Sequence, residues 1–445
     1  MPRGYGEDEV VVADPATGKT RVLLHERGTP YFTLRAPTFR VLSDGSVLWL
    51  SDRSGWNHLY RYDANGTLVG AVTEGAFNVA QVLGIDEAGG WLYVSGYGRE
   101  PGVHRHYAQS YRVALAGGRI ERLTPEDADH ASSLSSDGRW LIDTHSRPDL
   151  PTTSLLRDRE GKLVAELQRL DIAPLHAAGW QPPESVETLS ADGSTVLHGG
   201  IWKPFDFDPA RRYPVIAWVM PNSSSAGSIP VRFEATSPMQ ALAQLGFIVV
   251  TSATRGQAQG VRDKAYLVHG HGNMRDYPLA DSRASLEQLA ASRPWMDMSR
   301  VGVTGYSGGG LMSVSLFLTW PELYRVCVSG AGNHDNNLYE WSSTEHYYGL
   351  DTPIPSNAAL AGNLKGRLLL VHSDLDKDVQ FAHSVRLADA LVNAGKRYDF
   401  LLIPGRDHDL ADRQGYFERS RWVYFAQHLL GDTRDRNDLL TLDRD

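Results

Sequence analysis

Two patterns of hydrophobic and polar positions divide the chain. Through residues 1–175, short runs rich in aromatic and β-branched side chains are broken by turn signals, as in all-β proteins. Val47–Leu50, Leu59–Tyr62, Trp91–Val94, Arg119–Leu123 and Trp140–Asp143 read as strands. Asp44-Gly45, Asn65-Gly66 and Asp137-Gly138 separate such runs, and these pairs favour the positive φ of a tight hairpin. Asp44-Gly45, Asp86-Glu-Ala-Gly89 and Asp137-Gly138 each precede an aromatic-rich strand. Their spacing fits the ~40–45 residues of a four-stranded propeller blade. The pattern predicts three blades and part of another, drawn from Val10–Leu24. A ring with so few blades leaves strand edges open to pairing. The expectation is therefore a fragment, or an oligomer that covers the edge.

Around Ala173–Pro183 the pattern changes, with Pro174, Pro182 and Pro183 marking a linker. A hairpin follows (Ser185–Leu189 and Thr195–Trp202), and then buried strands alternate with amphipathic helices through residues 176–445. The predicted strands are Val215–Val219, Phe247–Thr251, Val301–Thr304, Val326–Gly330, Leu368–His372 and Phe400–Ile403. The predicted helices include Pro238–Leu245, Leu279–Ala291, Leu311–Leu318, Ala382–Ala394 and Tyr416–Leu430. Near-continuous Val/Ile/Leu runs are what strands show when helices cover both faces of a sheet. The prediction is a doubly wound, mostly parallel sheet of the α/β class.

Composition narrows the function classes. The 445 residues are 42% hydrophobic and 22% charged, which suits a packed, soluble protein of two domains. A formal charge of −9, from 44 basic and 53 acidic residues with no basic stripe, argues against nucleic acid as a partner. The single cysteine, Cys327, forms no intrachain disulfide and reads as a packed thiol in a strand. No window approaches the ~18 apolar residues of a membrane span. The first residues lack the apolar core of a signal peptide. As written, the chain reads as cytoplasmic; a truncated start would instead allow export.

The chemistry concentrates in the second half. Gly305-Tyr306-Ser307-Gly308-Gly309 follows the strand at Val301–Thr304 and opens a helix. Strand, G-x-S-x-G, helix is the nucleophile elbow of α/β-hydrolases. The serine must sit on a strained turn, and the glycines flanking it have no Cβ to clash where strand and helix approach. A serine hydroxyl needs a base, and the base needs an orienting acid. His408, after the strand Phe400–Ile403, is the natural base. Asp374, Asp376 and Asp378 follow Leu368–His372, and the residues alone do not separate them as the acid. The same aspartates do not make a calcium loop, because Val379 and Val385 stand where glycine and an acidic residue are required. The pairs His269-Gly-His271 and His104-Arg-His106 lack partners at ligand spacing, so neither metal nor cofactor is expected.

Longer stretches carry a resemblance. Trp49-Leu-Ser-Asp-Arg-Ser-Gly-Trp-Asn-His-Leu-Tyr60, Tyr213-Pro-Val-Ile, Arg255-Gly256, His271-Gly-Asn-Met-Arg-Asp276, Gly305–Gly310, Gly332-Asn-His-Asp335, His372–Phe381 and His408 resemble the prolyl oligopeptidase family, in its dipeptidyl peptidase IV-like branch. That family joins a β-propeller to a C-terminal α/β-hydrolase. The resemblance implies a partial propeller at 1–175 and a hydrolase domain at 176–445. It also implies cleavage of short peptides, after Pro or Ala, by an acyl-enzyme. It assigns Asp376 as the acid beside Ser307 and His408, and the Gly308 N–H as an oxyanion donor. It also brings in dimerisation through the hydrolase domain, which relatives often show.

Three departures from the family pattern qualify this. Met220 stands where the family places a tyrosine hydroxyl as second oxyanion donor; Pro221 has no N–H, and Asn222 is the nearby candidate substitute. The glutamate pair that grips a free amino terminus has no match. Of the apolar box for proline, Tyr339 and Val379 match, whereas Asn336 and Ser343 replace aromatics and Asp378 replaces an asparagine. Trp341 is the candidate compensation, and Tyr306 a further substrate contact. Met220 favours a carboxylesterase as the alternative to a peptidase, since esters need less oxyanion help. An inactive peptide-binding scaffold is the third reading.

Overall fold

The computed structural model describes residues 3–30, 39–221, 229–257, 260–350 and 353–434. The alternating runs of the first part pair into four-stranded antiparallel sheets. One holds Phe39–Val41, Val47–Ser51, His58–Tyr62 and Leu68–Ala71; the next holds Asn78–Asp86, Trp91–Tyr97, Ala108–Ala114 and Ile120–Arg122. A third holds Asp129–Leu134, Trp140–Arg147, Leu150–Asp158 and Leu163–Arg169, and Glu7–Ala13 pairs with Thr20–Arg27 as a two-stranded sheet. These are the expected blades and partial blade. The Asp-Gly turns behave as read: Gly45 (φ 77°) and Gly138 (φ 68°) donate back to the carbonyls of Leu42 and Ser135, closing their hairpins. Leu48, Leu50, Leu59, Val79, Leu92, Val94 and Val113 form one apolar cluster that spans two sheets.

A short helix, Ala173–Ala177, lies in the expected linker. Beyond it, one eight-stranded sheet runs in the order Glu184–Leu189, Val196–Trp202, Ile248–Ser252, Tyr213–Trp218, Met296–Tyr306, Tyr324–Gly330, Arg367–Ser373 and Asp399–Ile403. The first two pairings are antiparallel and the rest parallel. Alternate residues of each parallel strand enter opposite cores, as the period of two demands. Val215, Val301, Val303, Leu368 and Leu370 join one core, with Leu286, Phe317 and Leu391 from the helices Tyr277–Ala291, Gly308–Thr319 and Ala382–Asn393. Ile216, Val326, Val328, Leu369 and Val371 join the other, with Leu242, Phe417 and Phe425 from Pro238–Gln244 and Gln414–Phe425. Cys327 is a free, buried thiol in its strand. Among the described residues, no helix is long and apolar enough to cross a membrane.

Direct contacts join the blades to the loop and short helix at residues 262–267, in the half that carries the large sheet. Lys264 Nζ lies 3.0 Å from Asp52 Oδ1, the Lys264 N–H donates to Gly55 O at 2.8 Å, and Asn78 donates to Arg262 O at 2.9 Å.

Candidate active site

The strand Met296–Tyr306 ends and the helix Gly308–Thr319 begins across a single residue, Ser307. Ser307 has φ 57° and ψ −123°, a conformation that costs a non-glycine residue about 1–3 kcal/mol. The turn is tight because Gly305 and Gly309, on either side of it, carry no side chain. A Cβ on Gly305 would stand 2.3 Å from Gly309 O, and one on Gly309 would stand 2.3 Å from Val219 O. The Ser307 N–H donates to Gly330 O at 2.9 Å, which ties the elbow to the neighbouring strand.

The acid and base loops leave the ends of two adjacent parallel strands, Arg367–Ser373 and Asp399–Ile403. They are stitched together. Gly405 N–H donates to Asp374 Oδ1 at 2.6 Å, Arg406 N–H to Ser373 Oγ at 3.1 Å, and Lys377 N–H to Asp407 Oδ1 at 3.0 Å. The Ser373 hydroxyl donates back to the Arg406 carbonyl. Across this seam His408 Nδ1 meets Asp376 Oδ2 at 2.7 Å. Asp374 is instead committed to the Gly405 amide. The Asp378 amide, in turn, donates to Asp376 Oδ1 at 3.0 Å.

Asp376 is held on every side. Its Oδ1 also accepts from Val379 N–H at 2.8 Å, and its Oδ2 lies 3.3 Å from His372 Nε2. Burial alone would raise its carboxyl; hydrogen bonds from His372, His408 and the Val379 amide outweigh that and hold it well below the ordinary carboxylate range. Burial likewise works to lower the His408 imidazole, but the bond to Asp376 and its charge win, and the group titrates above its ordinary value. With Nδ1–H donated to a carboxylate, the neutral ring leaves Nε2 as the proton acceptor. His372, which the sequence places only at the end of a strand and the start of a family-like stretch, contacts Asp376, a role the sequence reading did not give it. Its ring is buried, bonded through Nδ1 to Ser384 Oγ at 2.7 Å and through Nε2 to Val379 O at 2.9 Å. Only its place four residues before Asp376 could have drawn attention to it.

The candidate substrate residues separate. A pocket of about 130 Å³ opens at Ser307 and Gly308 and is lined by Tyr339 together with Met274, Asn333, Asn336, Ser343, Thr344, Tyr347 and Tyr348. Tyr339, a candidate substrate contact, lines this pocket. Tyr306 is not in this lining: its hydroxyl donates to the His408 carbonyl, and its ring packs 5.3 Å from the His408 ring. Val379 is fully buried and serves Asp376 and His372 through its backbone. Asp378 also lies outside the lining. Trp341 opens the helix Trp341–Tyr348 with 62% of its surface exposed and is not part of the pocket lining. Asn222 lies outside the described residues. Met220 reaches the elbow, with its Cε 3.7 Å from the point where a Gly309 Cβ would stand.

Unforeseen from the sequence are the helix Trp341–Tyr348 and a polar chain in the pocket wall. Asn333 donates to Asn336 Oδ1 at 2.6 Å, and Asn336 donates to the Tyr348 hydroxyl at 2.8 Å. Asn333 Oδ1 is buried without a partner. The N-terminal segment braces the same helix: the Arg3 guanidinium donates to Glu345 Oε1 at 2.7 Å and the Gly4 amide to Glu345 Oε2 at 3.1 Å.

Residues 233–432 match the prolyl oligopeptidase family, and residues 1–152 match the dipeptidyl peptidase IV N-terminal region. The chain is 27% identical to mouse dipeptidyl peptidase 8, over 78% of this chain and 40% of that protein. To human dipeptidyl peptidase 8 it is 26% identical, over 81% of this chain and 42% of that protein. It thus spans about two fifths of these relatives (40% and 42%). A candidate dipeptidyl aminopeptidase IV from Bacteroides ovatus superposes with a TM-score of 0.86 at 25% identity, covering 96% of this chain and 64% of that one. Porphyromonas gingivalis dipeptidyl peptidase 4 superposes equally well (TM-score 0.86) at 21% identity, covering 96% of this chain and 61% of that one, and supports the fold alone.

Proposed function

The chain belongs to the prolyl oligopeptidase family, and on that premise we propose that it is a serine peptidase acting on short peptides through an acyl-enzyme on Ser307. The observation that carries the reading is the 2.7 Å bond between His408 Nδ1 and Asp376, made at the rim of the same sheet that ends in the strained Ser307 elbow. In this reading Ser307 Oγ attacks the scissile carbonyl as His408 Nε2 takes its proton. The amine leaves with that proton, and water, deprotonated by His408, then releases the acid and restores the serine. The Gly308 N–H, first in its helix, donates to the developing oxyanion, and the helix N-terminus favours the charge. The pocket of about 130 Å³ takes the residue on the acyl side of the bond, Ala or Pro, and Tyr339 forms part of its wall. The catalytic unit is residues 176–445, and the blades of 1–175 limit which peptides approach.

Met220 favours a second reading, a carboxylesterase. A thioether cannot donate to an oxyanion, and esters demand less of that donor than amides do. Hydrolysis should be profiled on dipeptide and oligopeptide amides, with free and blocked N-termini, beside short acyl esters. Turnover of Ala- or Pro-linked amides supports the peptidase. Ester cleavage with no amide cleavage overturns it in favour of the esterase. Failure of Ser307 to label with a fluorophosphonate would leave a peptide-binding scaffold.

A further inference from the structure

The sequence offers His104 and His106 as a pair without a partner at ligand spacing. The fold supplies one. Both lie between the blade strands Trp91–Tyr97 and Ala108–Ala114, and that segment meets the strand Val196–Trp202 of the large sheet at His198. The ring centroids are 4.6 Å apart for His104 and His198, 4.8 Å for His106 and His198, and 5.4 Å for His104 and His106. Their candidate donor nitrogens all lie within 4.8 Å of one another.

A packed histidine ordinarily satisfies its ring nitrogens with hydrogen bonds. Here it does not. His106 is 4% exposed and His198 7% exposed. Both ring nitrogens of His106 and the Nδ1 of His198 are buried with no hydrogen-bond partner. Leaving such groups unmet is destabilising. A fourth donor stands ready. Glu187 is the cross-strand neighbour of His198, and its Oε1 lies 3.5 Å from His198 Nδ1. The cluster opens to a pocket of about 700 Å³ whose lining includes His104, His198, Glu187, Arg105 and Arg147, with Asp127 and Asp149 ion-paired to Arg147.

We propose that His104, His106 and His198 form a zinc-binding site, with Glu187 or water as the fourth ligand, that clamps the blades to the hydrolase sheet. Three imidazoles and one oxygen donor are a ligand set zinc accepts in tetrahedral geometry. Zn–N bonds of about 2.0–2.1 Å require donor nitrogens about 3.3 Å apart, so the rings must draw together by rotation of their side chains. Arg105 and Arg262 oppose a cation here: Arg105 lies over the Trp56 ring at 5.7 Å, and Arg262 lies over the Tyr266 ring at 4.1 Å and donates to Val196 O at 3.1 Å, while Arg105 Nη1 and Arg262 Nε are buried without a hydrogen-bond partner. His198 lies on a strand three positions across the sheet from the one that leads into Ser307, and the site shares no residue with the Ser307 pocket and is independent of the function proposed for it.

The test uses the full chain without an affinity tag, stripped by chelator and titrated with Zn²⁺. Native mass spectrometry and calorimetry should count one ion per chain, X-ray absorption should show a shell of imidazole nitrogens, and zinc should raise the melting temperature. His106→Gln and His198→Asn should each weaken binding by about tenfold or more and abolish the thermal gain. Failure of the wild-type chain to take up one equivalent of zinc overturns the proposal, whatever the variants do. So does stoichiometric binding that both variants retain undiminished.

Discussion

The loops that carry Asp376 and His408 and the pocket that opens at Ser307 are the two parts of the proposed active site, and they are built differently. In the loops, Asp376 accepts hydrogen bonds from two backbone amides and the His408 ring and lies 3.3 Å from His372, while further hydrogen bonds lock one loop to the other. In the pocket, Asn333 keeps a buried carbonyl oxygen without a partner, and Asn336 and Ser343 put polar groups where the resemblance leads one to expect rings. In the proposed mechanism, the contrast assigns proton transfer and substrate choice to separate parts of the chain. The relay is over-determined, and its geometry leaves little to adjust. Beyond the elbow itself, the pocket wall is a set of side chains on one helix and two loops, and it shares no residue with the loops of Asp376 and His408.

Breaking the relay should have the largest effect. Ser307→Ala should lower kcat by about 10⁴–10⁶ with the fold intact by circular dichroism, since triad members act as a unit. Asp376→Asn should follow, at about 10⁴, because the amide favours the wrong tautomer of His408. The pH profile gives the sign. A base whose pKa is raised above its ordinary value is protonated, and idle, at low pH, so kcat/KM should fall as pH drops through a value above about 6.5. In Asp376→Asn that acid limb should move to lower pH; an unmoved limb would mean Asp376 does not set it. Sharpening the other side, Met220→Tyr should raise kcat on amides by about 10–100-fold by restoring an oxyanion donor, and leave ester turnover little changed. No gain on amides would mean another group already donates. Trp341→Ala should change KM by less than about twofold, because 62% of its surface faces solvent outside the pocket. A larger change would put that ring on the substrate path.

Much of this architecture can be read from the residues. Val/Ile/Leu runs identify the parallel strands because both faces are buried, and the Gly305–Gly309 motif marks its own turn because no other residue fits between Val219 O and the helix. Asp-Gly pairs mark the blades because hairpin geometry acts locally. What escapes has a physical reason. Three aspartates within five residues are equivalent in a sequence, and only the direction each leaves the loop separates Asp376 from its neighbours. The helix Trp341–Tyr348 has no clean apolar stripe; it is held by Arg3 and Gly4 through Glu345, and by the pocket tyrosines. His198 stands 92 positions from His106, and nothing in either neighbourhood announces that they touch.

The backbone at Ser307 has a further consequence. A left-handed φ of 57° on a serine is a standing local instability that only glycine would relieve. Selection for heat resistance alone would therefore drift toward glycine at this position and yield a sturdier molecule that no longer turns over. Any campaign to toughen the protein must screen activity alongside melting temperature, because at this residue the two pull in opposite directions.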